Sequence, residues 1–95
     1  MTTEFKVKRD TDPEKLSLAI FSTMRNCKTL ELSCLGAGPV IPCIKAFIYA
    51  KAKAIQVGIK LHIDPIYRNV VVDKEQVEKT LIVFVITKEE EIWVD

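Results

Sequence analysis

The chain has 95 residues, of which 48% are hydrophobic, 28% charged and 7% aromatic, a composition that fits one globular domain and excludes a disordered chain, a fibrous repeat or two domains. Fourteen Lys and Arg against thirteen Asp and Glu leave a formal charge of +1, which excludes a histone-like polycation and gives the average surface no pull on nucleic acid. A chain this short buries only about two-thirds of the surface its unfolded form exposes, so self-association is a natural supplement.

Glu4 to Arg9 alternates Phe5 and Val7 with Lys6 and Lys8, the period of a half-buried strand. Asp12 followed by Pro13 then opens a helix, the carboxylate accepting from orphan N–H groups and proline sitting where no donor is needed. Thr11 with Glu14 offers a capping box one residue earlier. Leu16, Ala19, Ile20, Thr23, Met24 and Cys27 recur at three- and four-residue steps, giving this helix one apolar face as far as about Asn26. Thr29 to Leu35 alternates again and predicts a second strand, which runs into Gly36-Ala37-Gly38-Pro39, a tight turn into a second helix. In that helix Val40, Cys43, Ile44, Phe47, Ile48 and Ala54 share one arc, and Lys45, Tyr49 and Lys53 form a stripe on the other side. Pro42 fits only if the helix begins near Pro39 to Ile41.

Gln56-Val57-Gly58 ends the second helix, and Val57, Ile59, Leu61 and Ile63 predict a third strand that Pro65 interrupts. Ile66 to Asp73 reads as an extended hairpin arm turning at Asp73-Lys74-Glu75-Gln76. Thr80 to Thr87 is apolar on both faces, which predicts a central strand. The order β-α-β-α-β-β gives an α/β (α+β) two-layer sandwich, a four-stranded mixed sheet with both helices on one face. Ile82, Phe84 and Ile86 then need a cover, either a second copy of the chain or a folded-back Ile92-Trp93-Val94. Residues 1–88 are expected to form the domain, with 89–95 an acidic tail.

Charge is distributed unevenly. Residues 1–60 hold ten basic and five acidic side chains, while residues 61–95 hold four and eight, and Lys88 to Asp95 alone contributes −3. No apolar run reaches the ~20 residues of a membrane span, and MTTEFKVKRD has no signal-peptide core, so a cytoplasmic location without membrane partners is expected. Cys27, Cys34 and Cys43 lie in apolar segments without metal-ligand spacing and read as reduced thiols. His62 is the only histidine, so the remaining ligands of a zinc site would have to be carboxylates; no metal and no cofactor is expected. His62 beside Asp64 is the nearest approach to a catalytic base, but no nucleophile or metal accompanies it, so a non-enzymatic role is expected.

LSCLGAGPVIPCIKAFIYAKAKA, followed by IKLHIDPIYRNVVVDKEQ and TLIVFVI, resembles the stage V sporulation protein S family, which belongs with the Alba-like nucleic-acid-binding fold. The likeness runs from Phe5 to about Ile86. It rests most on Leu35 to Gly38 leading into a helix with Lys45 and Ala46, on the D-x-D-P helix start, and on the arm from Ile63 to Asp73. It implies an Alba-type fold, a homodimer, and DNA or RNA binding or a regulatory role in sporulation, which is compatible with association with the nucleoid. Archaeal Alba proteins carry basic residues in the turn before the second helix, whereas Gly36, Gly38 and Pro42 stand at the matching positions here and donate no charge. Phosphate contacts would therefore come from Lys8 and Arg9 at the end of the first strand, Lys45 and Lys53 on the second helix, and Arg68 and Lys74 on the arm. Gly36, Ala37 and Gly38 form a separate candidate turn for an anion.

Overall fold

The structure is a computed structural model that describes residues 3–72 and 74–90. Its elements are β1 (Thr3–Val7), α1 (Pro13–Met24), β2 (Thr29–Leu35), α2 (Val40–Ile55), β3 (Ile59–Val72) and β4 (Glu78–Glu90). The strands form one four-stranded sheet in the order β1-β2-β4-β3, with β1 parallel to β2 and the other two pairs antiparallel. This is the mixed α+β sandwich expected of an Alba-like fold, with β4 central.

Local chemistry sets the element starts. Asp12 caps α1, its Oδ1 accepting from the Glu14 N–H at 3.0 Å with Pro13 in the first turn. Thr11 makes no capping box: its Oγ1 accepts from the Lys8 N–H at 2.8 Å and closes the bend after β1. Pro39 stands at the N-cap of α2 with helical backbone angles, so the helix begins at Val40 and Pro42 falls in its first turn, where a missing donor is harmless.

The core lies between the helices and one face of the sheet. Leu30, Leu32 and Cys34 of β2 pair with Ile86, Phe84 and Ile82 of β4, and this layer packs on Ile20 and Met24 of α1 and on Cys43 and Phe47 of α2. The expectation that Ile82, Phe84 and Ile86 need a second copy or the tail to cover them is thus corrected. Ile86 is 0% exposed and Phe84 7%, because these alternate positions face the helices. The proposed Ile92-Trp93-Val94 cover lies outside the described residues. On the opposite face Val83, at 1% exposure, is flanked by Ser33 and Ile66. Arg68 of β3 reaches Glu31 of β2 across this face, so its stem passes over β4 beside Val83.

Pro65 does not interrupt β3. It pairs with Phe84, and the strand tolerates it because β3 is the sheet edge, where a missing N–H leaves no ladder bond unmade. The irregularity comes later, where Arg68 stands between Tyr67, paired with Ile82, and Asn69, paired with Leu81. This bulge shifts the alternation, so odd residues face the helix side before it and Val70 and Val72 do so after it. β2 ends at Leu35 opposite Leu81, so residues 69–72 and 78–80 continue as a two-stranded arm, and the molecule measures 59 × 23 × 17 Å. Glu89 and Glu90 remain in β4, paired with Lys60 and Ile59.

Candidate nucleic-acid interface

The β2–α2 turn meets the end of β1 and the base of the arm. Gly36 has φ +80°, a left-handed conformation that side chains resist, and its N–H donates to the Thr80 carbonyl at 2.9 Å, which ties the turn to the arm. Gly38 has a different reason to be glycine. A Cβ there would lie 2.8 Å from Nε of Arg9 and 3.3 Å from its Cβ, so the bare backbone makes room for the arginine. The turn itself carries no charge, but β1 delivers a guanidinium onto it. Lys79 stands over Gly36, its side chain 3.6 Å from a Cβ built at that glycine.

These parts surround a groove of about 890 Å³, with Lys8, Arg9, Lys79 and Glu78 among its charged walls and Val7, Leu35, Val40 and Ile82 among its apolar ones. The donors left in the turn can be accounted for. Gly36 is bonded to Thr80, Val40 donates to the Ala37 carbonyl at 3.1 Å and Cys43 to the Pro39 carbonyl at 3.0 Å, and Pro39 and Pro42 have no N–H. The N–H groups of Ala37, Gly38 and Ile41 have no hydrogen-bond partner among the described residues. They lie at the positive end of the 16-residue α2.

The sequence candidates are partly brought together. Lys8, Arg9, Gly36, Ala37 and Gly38 share this groove. Lys45 is exposed on α2 roughly 7 Å along the axis from Val40. Lys53 is about 20 Å along and borders a different hollow, beside Glu14, Leu18 and Tyr49. Arg68 is engaged, its Nη2 3.3 Å from both carboxylate oxygens of Glu31. Lys74 is exposed in the turn at the far end of the arm. Lys79 was not singled out in the sequence, where it is one more polar residue before a strand; only the β2–β4 register brings it to the turn.

The outer face of α2 differs from expectation. Ile48 is not in the buried arc but 55% exposed, in line with Ile41 at 61% and Ile55 at 50%, seven residues apart each time. The buried arc is Cys43, Ala46, Phe47, Ala50 and Ala54, and the Lys45-Tyr49-Lys53 stripe flanks the isoleucines.

All three cysteines are free thiols: Cys34 and Cys43 are buried and hydrogen-bonded to each other, and Cys27 is half-buried. Donation to Cys34 and burial both hold the Cys43 thiol far above its ordinary range, so it is an inert core group. His62 does not pair with Asp64; its carboxylate neighbour is Glu89, with Nε2 and Oε2 3.5 Å apart and both side chains exposed. Among the described residues no helix is long and apolar enough to cross a membrane.

Comparison with curated proteins gives no match. The family model for stage V sporulation protein S matches residues 3–89, from the first residue of β1 to the penultimate residue of β4. The match thus takes in the glycine turn, the arm and the charged ends of β1 and β4, and the chain belongs to the stage V sporulation protein S (SpoVS) family of sporulation-related regulatory proteins.

Proposed function

We propose that the protein is a non-enzymatic, cytoplasmic regulator of sporulation that binds the phosphate backbone of DNA or RNA as a dimer. The observation that carries this reading is Arg9 seated on Gly38, which supplies from β1 the charge that the turn lacks. Lys8, Lys79 and the N–H groups of Ala37 and Gly38 add donors on the same edge, and the arm extends that edge toward Lys74. Phosphates are met there by charge and backbone donors, while no side chain of the turn reads a base edge, so affinity without strong sequence preference follows. Lys45 flanks the edge; Lys53 and Arg68 are peripheral, the first by distance and the second by its bond to Glu31.

The Ile41, Ile48 and Ile55 stripe supports the dimer. Three isoleucines at heptad spacing on one exposed helix face form a seam of the kind that two helices bury together. The same stripe favours the second reading, an oligomer-forming interaction module without nucleic-acid binding.

Titration of fluorescent DNA and RNA duplexes at low and near-physiological salt tests the reading. Binding should fall steeply with salt, and Arg9→Ala or Lys8→Ala should each lower the salt slope by about one unit. Lys53→Ala should change little. Absence of binding at low salt, with the dimer intact, would leave the interaction module.

A further inference from the structure

The groove is more than a row of cations. A nucleic-acid backbone brings successive negative charges past a surface, and a surface built only for it would keep carboxylates away. Glu78 nevertheless lines this groove together with Lys8, Arg9 and Lys79. Its apolar lining on the helix side is Val7, which is buried, with Val40 and Ile82, which are half-buried. The volume, about 890 Å³, lies in the range of small-ligand sites. Cations and free N–H groups suit a phosphate, a carboxylate on the rim suits sugar hydroxyls, and an apolar floor suits a flat ring.

From this combination we propose that the groove binds a free nucleoside phosphate. The phosphate sits against Arg9, Lys8 and the N–H groups of Ala37 and Gly38. Glu78 accepts from the sugar hydroxyls, and the base lies on Val40 and Ile82. A terminal phosphate carries more charge than a backbone diester, which matches a groove lined by Lys8 and Arg9 beside the Ala37 and Gly38 N–H groups. The inference rests on the same assignment of Arg9 as the reading above, and it adds that a bound nucleotide competes with the backbone for that edge.

Calorimetric titration of the full chain with AMP and GMP, and with adenosine and inorganic phosphate as halves of the ligand, tests it. AMP or GMP should bind at least roughly tenfold tighter than either half and shift the amide resonances of Ala37 and Gly38. Arg9→Ala should weaken the nucleotide about tenfold or more. Glu78→Gln should have opposite effects on the two ligands, weakening AMP while strengthening duplex binding. Both side chains are exposed, so these variants leave the core intact. Duplex binding without nucleotide binding at millimolar concentration would overturn this inference and leave the nucleic-acid reading standing. Nucleotide binding without duplex binding would do the reverse. Binding that is no tighter than phosphate alone, or is unchanged in Arg9→Ala, would also overturn it.

Discussion

Gly36 and Gly38 are two residues apart and serve different ends, which single substitutions separate. Gly36 is fixed by its backbone, so Gly36→Ala is expected to destabilise the fold by about 1–2 kcal/mol in urea unfolding. Gly38 has no such constraint, and the atoms that a new Cβ meets belong to the flexible Arg9 side chain. Gly38→Ala should therefore change stability by no more than about 0.5 kcal/mol while displacing the guanidinium and weakening duplex binding as Arg9→Ala does. Asp12→Ala removes the cap of α1 and should cost about 1 kcal/mol. The cap was legible because D-P is a local signal. The Arg9 contact was not, since Arg9 lies in the bend after β1 and Gly38 in the turn after β2, and only the parallel pairing of those strands brings them together.

Among elements, β2 and α1 follow the sequence closely, because alternation and capping are local. β4 and α2 show where local pattern runs out. A strand apolar on both faces does not say which face meets the helices, and here the register puts Ile82, Phe84 and Ile86 inward. Phe84→Ala should accordingly cost about 3–5 kcal/mol, as a core truncation does. Ile48→Ala should cost about 0.5 kcal/mol or less in the monomer, because its side chain is exposed. The pattern alone places Ile48 in the buried arc, because an apolar residue near the arc's edge fits either side of a helix wheel. Ile48→Asp is expected to leave the far-UV spectrum unchanged and convert the proposed dimer to monomer in sedimentation; a dimer that survives it would place the seam elsewhere. The arm, paired only with itself beyond Leu81, should exchange its amides of residues 69–72 and 78–80 much faster than those of residues 82–86.

At the scale of the whole molecule, the near-zero net charge conceals a separation by position. Lys8, Arg9 and Lys79 line the groove at the edge where β1 and β2 end, whereas Glu89 and Glu90 are at the opposite end of β4. Counting charge along the chain suggested the excess in residues 1–60 but not its location, since Lys79 comes from the acidic segment and Lys53, from the basic one, lies elsewhere. The central claim is that the edge around Arg9 holds a phosphate backbone. Its most direct measurement is duplex affinity as a function of salt for the native protein beside Arg9→Ala and Lys53→Ala. Steeply salt-dependent binding, with its slope reduced by about one unit in Arg9→Ala and unchanged in Lys53→Ala, is the expected result. Equal slopes in all three proteins, or no binding at low salt, would contradict it.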